Sequence, residues 1–285
     1  MAIGTPRRTL TPNAPRRKRR RVGIATIIGG AIAAVLLNWL GYGPTRKPAA
    51  TPTPSTTSQQ NQPMLEAKVS QADFAFYTLA LTLTPAFCET SPRKKQCGNL
   101  TEALNAATPL TLHGLWPENG RPGSFSESCG GKNITVTALE RDLDARRLRQ
   151  FMPGIADGLA AHEWRKHGTC SGLSAKAYFG AAIDWTERIN AALSSVLKLA
   201  SGRQMAAAGL KSAANTVLPG LGQAMTLHCR NIKTDDASMR GKPVLLELRV
   251  CLQKGSNNMP DALIECAALE RIDQGCGERF VLDSV

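Results

Sequence analysis

Residues 74–83 read Phe-Ala-Phe-Tyr-Thr-Leu-Ala-Leu-Thr-Leu. The run is aromatic and apolar, carries no charge and alternates in part, which predicts a central β-strand. Downstream, Leu110–Leu115 predicts a second, short strand leading into Trp116-Pro117, where the proline is expected to end regular pairing. Residues 118–132 are rich in Gly, Ser and Pro and predict a loop. Apolar and basic residues at helical spacing over 138–150 predict a helix stopped by Pro153. A second helix is expected over Ile155–Lys166, ending near Gly168, and a long amphipathic helix or helix pair over Ala175–Leu199. Pro243–Leu252 alternates from Leu246 onward and predicts a late strand. No internal repeat interrupts this order. Strands separated irregularly by helices predict an α+β fold with a mostly antiparallel sheet flanked by helices.

The N-terminal part has a different character. The net charge of +13 suggests a polyanion partner until its location is examined. Residues 1–47 hold ten Lys and Arg and no acids, which leaves 25 basic against 22 acidic residues beyond them. The charge therefore belongs to the tail and says little about nucleic acid. Arg16–Arg21 is a basic cluster followed by an uncharged run over 22–42. As a helix that run would span ~31 Å, about the thickness of a bilayer core. The arginines would stay in the cytoplasm, with Trp39 and Tyr42 at the far interface. The expected organisation is a basic tail over 1–21, a single-pass inner-membrane anchor over 22–42, and a Pro/Thr/Ser-rich disordered tether over 43–63. A monomeric, exported, periplasmic domain follows over 64–285. The alternative is a secreted or periplasmic protein after cleavage of the signal. All eight cysteines lie beyond residue 87, so in an oxidising compartment they favour disulfides, and none forms a Cys-x-x-Cys pair.

Three of the four histidines fall in two short segments: Thr-Leu-His-Gly-Leu-Trp-Pro at 111–117, and His-Glu-Trp-Arg-Lys-His-Gly-Thr-Cys at 162–170. On a helix, His162 and Lys166 are four apart, as are Glu163 and His167, so one turn can present four ionisable groups to a cleft. His113 would come from the separate strand. Histidines on independent elements can sit on opposite sides of a reacting group, one as base and one as acid. Zinc hydrolysis fits poorly, because His162 and His167 are five apart rather than the four of His-Glu-x-x-His. No Gly-x-Ser-x-Gly elbow supports a serine nucleophile. The fourth histidine, His228, is read as structural.

At His113–Pro117 and His162–Cys170 the chain resembles the ribonuclease T2 family of acid endoribonucleases, and the resemblance extends over most of residues 70–280. It implies the ribonuclease T2 fold and cleavage of RNA without metal or other cofactor. His167 would be the base at the ribose 2′-hydroxyl and His113 the acid at the leaving 5′-oxygen. His162 would hold the phosphate, and Glu163 and Lys166 would stabilise the transition state. Products would be a 2′,3′-cyclic phosphate and a 5′-hydroxyl, with DNA inert. Trp116 would stack on a bound base, and Glu118 would help to hold it. The same resemblance implies the disulfides Cys129–Cys170, Cys229–Cys276, Cys251–Cys266 and Cys88–Cys97. The stretch 200–226 has no secure counterpart, and its role stays open. A competing class is a catalytically silent RNA-binding protein on the same fold; intact His113, Glu163, Lys166 and His167 argue against it.

Overall fold

The computed structural model describes residues 74–98, 108–120, 127–269 and 271–283. The expected tail, membrane span and tether, and the start of the folded domain at 64, lie outside the described residues. Among the described residues no helix is long and apolar enough to cross a membrane.

Among the described residues seven strands form one sheet: β1 (Phe76–Leu83), β2 (Leu110–Glu118), β3 (Gln204–Ala206), β4 (Met225–Asn231), β5 (Pro243–Lys254), β6 (Pro260–Leu263) and β7 (Arg279–Val281). The order is β2-β1-β5-β7-β3, with β4 and β6 also paired to β5. Every pairing is antiparallel except the short β5–β7 contact. The fold is α+β, as predicted. β1 is central because both its neighbours pair along its length: Leu79, Leu81 and Leu83 face one side and meet Leu248 and Val250 of β5 and Leu110, Leu112 and Leu115 of β2.

That side packs on the Ala175–Ala200 helix, whose Tyr178, Phe179, Ile183, Ile189 and Leu193 enter the same core. The helix also completes the free edge of β2. Asn190 accepts from the Leu110 N–H at 3.1 Å and donates to the Leu110 carbonyl at 2.7 Å, while Tyr178 donates to the Leu115 carbonyl at 2.5 Å. Buried backbone polar groups on an edge need such partners.

Several expected boundaries move. β2 continues through Pro117 to Glu118, because a proline on an edge strand can turn its missing N–H away from the ladder. The helix expected over 138–150 is two, Val136–Asp142 and Ala145–Phe151. Leu143 is the C-cap of the first, and Asp144 caps the second by accepting from the Arg147 N–H. The helix expected from Ile155 starts at Leu159. Pro153–Asp157 is a 3-10 turn, and Gly158 at φ +84° breaks the continuity. The open stretch 200–226 carries β3, the helices Ala207–Val217 and Leu221–Ala224, and the start of β4, with Leu210, Ala214 and Leu221 buried. All four expected disulfides are present: Cys88–Cys97, Cys129–Cys170, Cys229–Cys276 and Cys251–Cys266.

Candidate active site

The side of the sheet away from the long helix carries the polar residues, and a bulge in β2 decides what faces it. Leu112 pairs with Leu81 and Gly114 with Ala80, so His113 is an additional residue without a partner in β1. Leu112 and Leu115 can then both point into the core. Strict alternation would put His113 and Trp116, three apart, on opposite faces. The bulge brings them together, with ring centroids 5.3 Å apart at 83°.

The Leu159–Lys166 helix packs against β2, with Ala160, Glu163 and Trp164 buried while His162 and Arg165 are exposed. Trp164 is packing, as its surroundings show: it stands edge-on to Tyr178 at 5.7 Å and donates to the Lys132 carbonyl at 2.9 Å. Glu163 is 1 % exposed and sits at the centre of the site. Its Oε2 accepts from Trp116 Nε1 at 2.9 Å; its Oε1 is 3.8 Å from His113 Nε2 and 4.0 Å from His162 Nε2. The close approach needs Gly114, since a β-carbon there would overlap both Glu163 Oε2 and Trp116 Nε1. Burial raises the Glu163 carboxyl above the usual carboxylate range, against the opposing pull of His113 and the indole N–H.

His167 and Lys166 stand at the C-terminal end of this helix. His167 is not helical but follows the helix as its C-cap at φ −122°, so the shared helical face expected with Glu163 is replaced by a turn. Its ring meets Trp116 at 5.4 Å and is only 3 % exposed. Gly168 keeps that turn tight: a β-carbon would strike the Trp164 ring. Lys166 pairs with Glu127 at 3.1 Å, and its carbonyl accepts from the Ser128 N–H at 2.7 Å. The Cys129–Cys170 bond fastens the same loop to this end of the site.

A cavity of about 740 Å³ opens on the other side of His113, lined also by His162, Thr82, Thr111, Lys94 and Arg230. His167, Lys166 and Glu163 do not line it. His228 does, but Thr226 and Gln274 hold its two nitrogens at 3.1 and 3.2 Å, and burial pushes it down to about 4, in keeping with a structural role.

The two residues expected to contact the base, Trp116 and Glu118, are both buried in this structure. Trp116 is 6 % exposed, with the Arg249 guanidinium 5.0 Å from its centroid and the His167 ring 5.4 Å away. Glu118 lies on the sheet rather than in a loop. It is 0 % exposed, accepts from Thr78 and is paired with Arg271, in the neighbourhood of the Phe76, Cys251 and Cys266 cluster. Sequence reasoning missed Glu247 and Arg249 in β5, opposite Thr82 and Ala80 of β1. Glu247 Oε2 is 2.8 Å from His113 Nδ1, and Arg249 Nε donates to Glu247 Oε1 at 2.6 Å. The signal was present: a Glu and an Arg two apart in an otherwise apolar alternating strand point to one face.

The Ribonuclease T2 family profile matches residues 74–266. Ribonuclease I of Escherichia coli (strain K12) is 27% identical over 268 residues, covering 79% of this chain and 92% of the relative. Intracellular ribonuclease LX of Solanum lycopersicum is 25% identical over 209 residues, covering 71% and 83%. In fold, ribonuclease MC1 from the seeds of bitter gourd aligns over 73% of this chain and 100% of its own, with a TM-score of 0.53 and 23% identity. RNase NT in complex with 5′-AMP aligns over 75% and 100%, with a TM-score of 0.57 and 19% identity. With the two histidine segments joined around one buried glutamate and the profile spanning that whole assembly, the chain belongs to the ribonuclease T2 family.

Proposed function

We propose that the protein is an endoribonuclease that cleaves single-stranded RNA by transphosphorylation through a 2′,3′-cyclic phosphate, without metal. His167 takes the proton of the ribose 2′-hydroxyl as the 2′-oxygen attacks phosphorus. The P–O2′ bond forms, the P–O5′ bond breaks, and His113 gives a proton to the departing 5′-oxygen. His162 holds the phosphate. Lys166 and Glu163 balance the charge that gathers on the equatorial oxygens. A carboxyl with a raised pKa holds its proton to higher pH than a free one does, and when protonated Glu163 can donate to such an oxygen rather than repel it.

The observation that carries this reading is the Glu163 carboxyl group. It is buried, bound to Trp116 and within 4.0 Å of both His113 and His162, with the His167 ring 5.4 Å from the same indole. Buried carboxyl groups among imidazoles are costly as packing and useful as catalysts. The test is bulk RNA incubated with the purified protein in excess chelator. Cleavage should persist, and should fall by about 10²–10⁴-fold in His113→Phe and in His167→Phe. Full activity in either variant, or RNA left intact by the unaltered protein, contradicts the proposal.

The same reading places residues 22–42 across the inner membrane and the 64–285 domain in the periplasm. Protease added to spheroplasts should digest that domain while it sediments with membranes. A soluble, shortened product would mean instead that the signal is cleaved.

A further inference from the structure

The imidazole of His113 is held from behind. Its Nδ1 lies 2.8 Å from Glu247 Oε2, and its Nε2 is directed towards Glu163, 3.8 Å away. The second Glu247 oxygen is occupied by Arg249 Nε at 2.6 Å, and the Arg249 guanidinium rests 5.0 Å from the Trp116 centroid. Both carboxylate oxygens are thus engaged, and the carboxylate is largely buried. The backbone accounts for the alignment: Glu247 and Arg249 oppose Thr82 and Ala80 of β1, and β1 separates β5 from the bulged His113 of β2.

We propose that Glu247 is the positioning residue of the general acid: it accepts the Nδ1 proton of His113, so that Nε2 is the nitrogen that delivers a proton to the leaving 5′-oxygen, and Arg249 fixes the Glu247 rotamer. This rests on the reading of His113 as the acid. During the reaction Nε2 loses its proton to the 5′-oxygen as the P–O5′ bond breaks. The Nδ1 proton stays between His113 and Glu247, and the carboxylate remains ionised. A carboxylate behind an imidazole fixes its tautomer and favours its cationic form.

The electrostatics agree with the geometry. Burial opposes the charge on His113, and so does Arg249, but the Glu247 hydrogen bond and the charges of Glu247 and Glu163 outweigh them and raise its pKa. Burial likewise opposes ionisation of Glu247, yet His113 and Arg249 push it down to about 2. The other charged or titratable neighbours are His162 on the Leu159–Lys166 helix, His228 opposite Glu247 on β4, and Asp157, Lys94 and Arg230 around the shared cavity. Of the charged and titratable groups around His113, Glu247 is the one in hydrogen-bond contact with its ring among the described residues.

The experiment compares two substrates in three proteins: the unaltered enzyme, His113→Ala and Glu247→Gln. One substrate is uridylyl-3′,5′-adenosine, whose alkoxide leaving group needs a proton. The other is uridine 3′-(4-nitrophenyl phosphate), whose leaving group does not. Both variants should lose activity on the dinucleotide, Glu247→Gln by about 10- to 100-fold, and both should recover most of it on the aryl ester. The basic limb of the Glu247→Gln pH profile on the dinucleotide should move to lower pH. If His113→Ala recovers on the aryl ester but Glu247→Gln loses equally on both substrates, or loses nothing, the role of Glu247 is overturned and the acid assignment stands. If His113→Ala loses equally on both, the acid assignment falls and the proposal with it. A second measurement needs no variant of Glu247. In histidine-selective ¹⁵N spectra of the unaltered protein, neutral His113 should carry its proton on Nδ1; an Nε2–H tautomer overturns the proposal.

Discussion

Gly114 has no side chain because two others occupy the space beside it. Glu163 Oε2 and Trp116 Nε1 both lie where its β-carbon would be. Gly114→Ala should therefore displace the Glu163 carboxyl, lowering kcat by at least about 10-fold and stability by about 1–3 kcal/mol. Steady-state kinetics beside a thermal melt would check it, and unchanged kcat would contradict the packing described. The His113–Glu247 pair makes a prediction in pH. Glu247 is depressed below its ordinary 4.5, so its contribution to stability is present above that value and is lost as pH falls through about 2. His113 is raised above 6.5, so its contribution is complete below 6.5 and is lost as pH rises through its folded value. The melting temperatures of the protein and of Glu247→Gln should thus differ most between about pH 4.5 and 6.5, and converge on either side. A constant difference across pH would contradict the pairing. At this scale the two histidine segments were legible from spacing alone. The burial of Trp116 and Glu118 was not, because period-2 counting cannot foresee an additional residue at His113 or an Arg271 arriving from 153 positions further along the chain.

Elements hold these residues through a few polar contacts. β2 is an edge strand, and its position depends on Tyr178 and Asn190 of the long helix. Removing the hydroxyl in Tyr178→Phe leaves the buried Leu115 carbonyl without its donor and should cost about 1–3 kcal/mol. Chemical denaturation with an unchanged m-value would measure it; a loss below a few tenths would show that the edge is satisfied otherwise. The site helix illustrates a limit of periodicity. Apolar spacing continues from Ile155 through Lys166, but Gly158 at φ +84° interrupts the hydrogen bonding, and spacing does not register backbone handedness. Pro117 misleads in the opposite direction, since its effect depends on whether a strand lies at an edge, which is a property of the sheet.

Across the whole molecule, the disulfides join segments that the sheet alone does not. Cys129–Cys170 spans 41 residues and connects the loop bearing Glu127 to the end of the helix bearing Lys166 and His167. Replacing both cysteines by serine should lower stability by about 2–5 kcal/mol. Activity should fall further than the loss of folded protein explains, because the His167 turn loses its tie. The α+β class was legible from the irregular alternation of strands and helices. The full sheet was not: β3 and β7 are three residues long and β6 four, too short for alternation to register. The central claim, that imidazoles from two elements pass protons across one phosphodiester, is tested most directly by the phosphorus-containing products. ³¹P NMR of a dinucleotide digest in chelator should show a 2′,3′-cyclic phosphate, and the 2′-deoxy analogue should remain intact. A terminal 5′-phosphate, or cleavage of the deoxy analogue, would contradict the account.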